Sequence, residues 1–323
     1  MALFRVFVTR KIPDAGIRIL REAGYDVNVY DDIEPLSREI FLNKIENIDA
    51  LIPMLSENVD KEAMDRAVKL KIIANYAVGY NNIDINYANT KKIFVTNTPN
   101  VLTEATADLT WALILSVTKR IPEADQFVRQ GKFKGWEPLL MLGDDVSGKT
   151  LGIIGAGRIG QAVGSRARGF KMNVLYYSPS EKKQFEHQIG VRRCEFDELI
   201  QKADILTIHC PLNEKTHHMI NSENIYNIKK GAFIINTSRG PVIDEKALAK
   251  ALESGHLGGA GLDVYEFEPE INSTLLMLKN VILLPHIGSA TRDTRSAMAC
   301  MAANNVKAVL NGNKPLNPVN DII

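Results

Sequence analysis

Residues 149–180, KTLGIIGAGRIGQAVGSRARGFKMNVLYYSPS, read as strand, glycine turn, helix and strand. The apolar run at 151–154 is too short for a helix and is flanked by glycine, which suits a buried strand. Gly155-Ala156-Gly157-Arg158-Ile159-Gly160 follows at once; small residues over 162–170 predict a helix, and 172–177 a second strand. G-x-G-x-x-G alone is weak, but between the strand and helix of a βαβ unit it is a dinucleotide-binding fingerprint. Gly155 allows the tight turn, Gly157 lets the backbone approach a pyrophosphate, and Gly160 lets the helix pack close to the strand. The helix start offers unpaired N–H groups and a positive dipole end to the phosphates.

The second strand ends in Tyr177-Ser178-Pro179-Ser180. NAD-preferring folds place an Asp or Glu there to hold the ribose 2′-hydroxyl. No carboxylate occupies that end to repel a 2′-phosphate. Ser178 and Ser180 are able to hydrogen-bond one, and Lys182 or Lys183 to add charge, although Pro179 stands where an arginine would be expected. The reading favours NADP(H) over NAD(H).

The 323 residues suit two domains, and 45% apolar content is ample for their cores. A formal charge of +1 with acids and bases interspersed leaves no footprint for nucleic acid or an anionic membrane. Residues 1–8, MALFRVFV, are a strand pattern rather than a signal peptide, and no apolar run approaches about 18 residues. Cys194, Cys210 and Cys300 have no C-x-x-C spacing; they suggest core packing in a reducing cytoplasm, and no metal site.

Residues 1–98 alternate strand (5–8, 26–30, 50–53, 72–74, 93–95) and helix (12–23, 38–44, 61–67), a parallel α/β sheet without a glycine fingerprint. Two loops fall at strand ends, where such sheets bind ligands. One is 54–57, for which a plain turn is the simpler reading; the other is 76–84, where Gly79 offers bare backbone to an anion. An apolar helix is expected over 102–118, capped by Thr103 or Asn100. The loop 131–143, GKFKGWEPLLMLG, is apolar enough to suggest a dimer contact, with a lid as the alternative. Strands at 204–209, 232–237, 259–264 and 281–284, with a helix at 244–254, complete a six-stranded doubly wound sheet over 99–288. A long helix at 289–311 returns the tail, 313–323, to the first domain. The whole is then a Rossmann nucleotide-binding domain (99–288) and a smaller flavodoxin-like substrate domain (1–98 with 289–323), with a cleft between.

Arg239, Glu268 and His286 each follow a strand of the second domain. Together they suit reduction of a 2-oxo acid by a nicotinamide hydride. A guanidinium binds a carboxylate bidentately and polarises the neighbouring carbonyl. The alkoxide that forms needs a proton from a group titrating near neutrality, which is histidine's range. A carboxylate beside the histidine favours the imidazolium. His209, His217 and His218 compete for the acid role, but the adjacent pair lies in a polar loop, and no H-E-x-x-H spacing occurs.

Gly155–Gly160, Asn236-Thr237-Ser238-Arg239-Gly240, the run 261–269 (GLDVYEFEP) and Leu284-Pro285-His286-Ile287-Gly288 resemble the D-isomer-specific 2-hydroxyacid dehydrogenases over essentially the whole chain. Residues 75–84, NYAVGYNNID, and Asn97-Thr98-Pro99 resemble the glyoxylate/hydroxypyruvate reductase branch, with Asn81 where the family commonly has Asp. The resemblance implies Arg239 as substrate anchor, Glu268 as modulator and His286 as acid/base. It implies Leu55, Val78 and Gly79, with Arg239 and His286, around the substrate. Around the cofactor it implies Gly155, Ala156, Gly157, Arg158, Ile159, Gly160, Ser178, Pro179, Ser180, Pro211, Thr216, Thr237, Ser238, Arg239, Asp263, His286 and Gly288. A homodimer joined through the nucleotide domains is implied as well, with the loop around Trp136 reaching toward the neighbour.

The expected activity is NAD(P)H-dependent reduction of glyoxylate or hydroxypyruvate. D-lactate and phosphoglycerate dehydrogenases are alternatives; the second would want basic residues near Leu55 or Gly79 and, in many members, a regulatory domain beyond residue 323. A formate dehydrogenase-like donor has no use for the Glu268/His286 pair. A corepressor-like dinucleotide sensor is the remote non-enzyme reading, for which no low-complexity tail is seen.

Overall fold

The computed structural model describes residues 3–32 and 34–322. The chain divides into two units, one running to Leu102 and resuming at Ser289, the other continuous over Thr103–Gly288. Met1 and Ala2 of the first strand pattern, and Ile323 of the tail, lie outside the described residues.

The first unit holds β1 (Arg5–Val8), β2 (Asp26–Val29), β3 (Ala50–Ile52), β4 (Ile72–Ala74) and β5 (Phe94–Thr96), all parallel, in the order β2-β1-β3-β4-β5. That is the flavodoxin-like order. Short β-branched runs such as Ile72-Ile73-Ala74 are fully buried because helices cover both faces of a parallel sheet. The helix Arg292–Leu310 packs on Asp14–Glu22, and the tail closes the β5 edge: Val319 N donates to Val95 O at 2.8 Å, and Asn320 Oδ1 accepts from Val95 N at 2.7 Å. A helix at Ile85–Thr90, capped by Asp84, escaped the sequence reading.

The second unit holds β6 (Thr150–Ile154), β7 (Asn173–Tyr177), β8 (Arg192–Arg193), β9 (Ile205–Ile208), β10 (Phe233–Asn236), β11 (Gly259–Leu262) and β12 (Val281–Leu283), in the order β12-β11-β10-β9-β6-β7-β8. The sheet has seven strands rather than the six expected; the extra one, β8, is two residues long, too short for any periodicity to reveal. The order reverses between β6 and β9, the Rossmann switch point, outside whose strand ends such folds bind ligands. Every residue of β9 and β10 is buried, and each apolar side chain so placed contributes about 1.5–3 kcal/mol. The helix Thr103–Thr118 covers β10 and β11, with Leu113 against Gly261 and Val117 against Gly259, while its Trp111 stacks on Phe170. The fingerprint helix spans Arg158–Ala167, starting four residues before the expected 162, with a single 3₁₀ turn at Arg168–Phe170. Gly157 serves as its N-cap, so helix begins inside the motif.

The register sets Asn236 beside Leu262, and Leu262 beside Leu283. Three adjacent strands therefore end level, and the segments carrying Arg239, Glu268 and His286 leave from one edge of the sheet. Among the described residues no helix is long and apolar enough to cross a membrane.

Candidate active site

Gly155, directly after β6, has φ +95°, and a Cβ there would stand 2.5 Å from Cys210 N. A Cβ on Gly160 would lie 2.2 Å from Gly155 O, so turn, helix and neighbouring strand end close on one another only with glycine. A Cβ on Gly157 would meet nothing within 4 Å. The first turn of the ten-residue helix thus faces open space and has no side-chain cap. This is a cradle that fits a pyrophosphate. Cys210 and Cys194 are buried, and burial pushes the Cys210 thiol up to about 11, which leaves it inert. Farther along the same loop, the Thr216 hydroxyl donates to Pro211 O at 2.6 Å, closing the turn that follows β9.

The catalytic candidates are held by backbone-directed side chains. Asn236 Oδ1 accepts from Ser238 N at 3.0 Å and from Ser238 Oγ at 2.8 Å, while its Nδ2 donates to Arg239 O at 2.9 Å. Thr237 Oγ1 meets Thr110 Oγ1 at 3.0 Å. A Cβ on Gly240 would fall 1.8 Å from the Tyr265 carbonyl. Only glycine lets the Arg239 turn approach the loop bearing Glu268. Burial pushes the Arg239 guanidinium down from its ordinary value, and nearby Glu268 works the other way.

His286 Nδ1 and Glu268 Oε2 are 2.9 Å apart, and Glu268 Oε1 accepts from Tyr265 N at 3.0 Å. Burial by itself would raise the Glu268 carboxyl, but the His286 hydrogen bond and charge, Tyr265 N and Arg239 together hold it below its ordinary 4.5. His286 has φ +54°, a left-handed backbone that costs a bulky residue about 1–3 kcal/mol and persists where its surroundings impose it. They do so here: Asp263 accepts from Ile287 N and from Gly288 N, each at 2.7 Å. Burial pushes the Asp263 carboxyl up in spite of these two donors.

A second histidine–carboxylate pair uses the same loop. His218 Nε2 lies 2.7 Å from Glu266 Oε1, and the His218 ring stacks on His217 at 4.1 Å. Glu266 Oε2 accepts from Glu245 N at 3.1 Å; the buried Glu245 carboxylate returns the contact, accepting from Glu266 N at 2.9 Å and Asn272 N at 2.6 Å. One carboxylate therefore grips the loop on both sides of Glu268. Both ring nitrogens of His209 are buried without a partner among the described residues, and burial lowers this histidine to about 3. It stays neutral and is no proton donor at pH 7.

Residues 111–288 match the model of the D-isomer specific 2-hydroxyacid dehydrogenase NAD binding domain. The chain is 49% identical to a glyoxylate reductase of Thermococcus litoralis over 320 residues, 98% of this chain and 96% of that one. The chain belongs to the D-isomer-specific 2-hydroxyacid dehydrogenases. It is an NAD(P)-dependent oxidoreductase of that family. A crystal structure of a Thermus thermophilus protein superposes with a TM-score of 0.92 at 44% identity, covering 98% of this chain and all of that one. An NADPH-dependent glyoxylate/hydroxypyruvate reductase of Sinorhizobium meliloti, solved with NADP and malonate, superposes with a TM-score of 0.88 at 31% identity, covering 98% and 97%.

In this dehydrogenase the two strand-end loops of the first unit form one network. Glu57 is buried; its Oε2 accepts from Met54 N at 2.7 Å and from the Thr9 hydroxyl, and its Oε1 accepts from Ser56 Oγ at 2.6 Å. Asn82 Nδ2 donates to Met54 O at 3.1 Å, Asn75 Nδ2 to Gly79 O at 2.7 Å, and Asn97 Nδ2 to Val78 O at 2.8 Å. The segment 54–57, which the sequence suggested was a plain turn, is bolted through Asn82 to the loop bearing Val78 and Gly79. Sequence reasoning also passed over Glu245 and Asn236, whose contacts are set by the folded backbone; the strand-end position of Asn236 was the only available signal.

Proposed function

We propose that this dehydrogenase reduces glyoxylate or hydroxypyruvate to the D-2-hydroxy acid, with NADPH preferred. The observation that carries the reading is the Nδ1-held His286, paired with Glu268 beside Arg239 on strand ends of the sheet that also carries the glycine cradle. The cradle residues Gly155 to Gly160 would hold the pyrophosphate, and the nicotinamide, when bound, would supply a hydride. Arg239 grips the substrate carboxylate and draws electron density toward the carbonyl oxygen. As the carbonyl carbon accepts the hydride, His286 Nε2 gives its proton to the oxygen, completing the hydroxyl. Glu268 keeps Nδ1 hydrogen-bonded and balances the imidazolium charge. Leu55, Val78 and Gly79 are assigned to substrate contact, and Ser178, Ser180, Pro211, Thr216, Thr237, Ser238, Asp263 and Gly288 to the cofactor. The Thermococcus litoralis relative is named a glyoxylate reductase, and the Sinorhizobium meliloti structure an NADPH-dependent glyoxylate/hydroxypyruvate reductase.

The reading is tested by following oxidation of NADPH and NADH with glyoxylate and with hydroxypyruvate. Turnover of at least one acid, faster in kcat/KM with NADPH, is expected. Firm dinucleotide binding without turnover of either acid would replace it with the sensor reading.

A second copy of this chain is the proposed cover for an apolar surface of the second unit. The helix Ile121–Arg129 buries none of its residues, and Ile121, Val128, Phe133, Trp136, Leu139 and Leu142 are exposed, Trp136 by 84%. Analytical ultracentrifugation should give a dimer for the native chain and a monomer for W136E/L139E; a native monomer removes the proposal.

A further inference from the structure

The end of β7 lacks an arginine in its own turn, but the folded chain brings one from the next strand. β8 pairs in parallel with β7, setting Arg192 beside Leu175 and Arg193 beside Tyr176. Neighbouring residues of a strand point to opposite faces, and these two differ accordingly. Arg192 Nη2 pairs with Glu198 Oε1 at 2.7 Å on an exposed surface. Arg193 is half-buried and donates Nε to Ser178 O at 3.1 Å; its two terminal nitrogens have no hydrogen-bond partner among the described residues. The guanidinium is thus tethered at its base to the first residue after β7, with the outer N–H groups available.

The rest of the turn is prepared in the same sense. Lys182 Nζ donates to Ser180 Oγ at 2.8 Å, and Lys182 N donates to the buried phenol of Tyr176 at 2.8 Å. The Tyr176 hydroxyl donates in turn to Glu186, which gives that carboxylate a partner. Glu181 stands 4.0 Å from Lys183 Nζ. Arg193, Lys182 and Lys183 thus put three cations on the segments that follow β7 and form β8. A ribose of a dinucleotide held by the Gly155–Gly160 cradle is read at the end of the second strand. A planar fork with free N–H groups beside serine hydroxyls suits a phosphate monoester there, whereas a ribose 2′-hydroxyl has no carboxylate to accept its proton.

We propose that Arg193, delivered from the edge strand β8, binds the adenosine 2′-phosphate of NADP(H) and sets the cofactor preference of this chain. This rests on the dinucleotide reading above and adds the residue that discriminates between the two cofactors.

The test is calorimetric binding to the full chain of NADPH, NADH, 2′,5′-ADP and 5′-AMP, for wild type, R193Q, R193K and R192Q. Wild type should bind NADPH and 2′,5′-ADP more tightly than NADH and 5′-AMP. R193Q should weaken the two phosphorylated ligands by about tenfold to a hundredfold, the loss of a charge-assisted contact, and leave NADH and 5′-AMP nearly unchanged. R193K, which keeps the charge and loses the fork, should fall between, and R192Q should match wild type. Equal losses for both cofactors in R193Q and R193K would reduce Arg193 to a structural clip on the Ser178 carbonyl and overturn the proposal, as would no loss in either variant. Failure of wild type to bind any of the four ligands would overturn the dinucleotide reading itself, which separates that outcome from a failure of Arg193 alone.

Discussion

Two histidine–carboxylate pairs share the loop after β11, and they are nearly the same in composition. His286 meets Glu268 at 2.9 Å and His218 meets Glu266 at 2.7 Å; the histidines have φ +54° and +48°, and each carboxylate gives its second oxygen to a backbone N–H. They differ in which ring nitrogen is tied. His286 is held through Nδ1, at the base of the ring, leaving Nε2 at the tip without a partner among the described residues. His218 is held through Nε2, and its ring is stacked on His217. A donor must reach the substrate within about 3 Å, so the tip nitrogen is the useful one. On the proposed mechanism it is the point of attachment, not the composition, that separates the two pairs.

The largest expected effect breaks this contrast directly. H286A should lower turnover by about 10²–10⁴ while NADPH binding survives, whereas H218A should remain within severalfold of wild type in steady-state assays. Equal losses in the two would mean that the geometry has been assigned to the wrong pair. R239A should cost about a hundredfold or more in kcat/KM, shared between kcat and KM, because it removes contacts to a charged group that also polarise the carbonyl. A change in KM alone would make Arg239 an anchor only.

E268Q sharpens the comparison. Replacing the carboxylate with a neutral amide weakens the charge-assisted hydrogen bond that holds His286 Nδ1, so kcat should fall by about tenfold. Stability provides an independent check. Glu268 is held below 4.5 in the folded chain, so its contribution is present above that value and is lost as pH falls through the lower folded value. The difference in Tm between wild type and E268Q should therefore narrow on acidification through that window; a constant difference would mean the pair is not coupled to folding.

The smallest effect concerns the grip on the loop. E245Q replaces one accepting oxygen with a donor facing a backbone N–H, and should lower kcat by roughly threefold to tenfold with little change in cofactor binding, since it acts through Glu268 at a distance. A lower Tm with unaltered kcat and pH profile would leave Glu245 a purely structural clamp.

These contrasts also mark what was readable in advance. The G-x-G-x-x-G turn and the polar residues after β10, β11 and β12 are local patterns, each tied to a short buried run, and they survive translation from sequence to fold. β8 does not, because two residues carry no period, and with it went the position of Arg193. The helix Ile121–Arg129 was passed over although Ile121, Ala124 and Val128 recur at helical spacing; that apolar face has no fully buried residue in this chain. Contacts such as His218 with Glu266 join residues 48 apart through a side chain whose attachment atom is a product of folding.

The first unit is assembled from two distant stretches, and this orders events during synthesis. Its β5 edge is completed by Val319 and Asn320, and Gly16 packs directly against Ala299. When Leu102 leaves the ribosome, that edge and that helix face have no cover, and they wait while the whole of Thr103–Gly288 is made, roughly 10–40 s at about 5–20 residues per second. The nucleotide-type unit, being continuous, has everything it needs to fold within that interval. The half-built partner is the stage of biogenesis at which a chaperone or a protease would find exposed strand and apolar surface to engage.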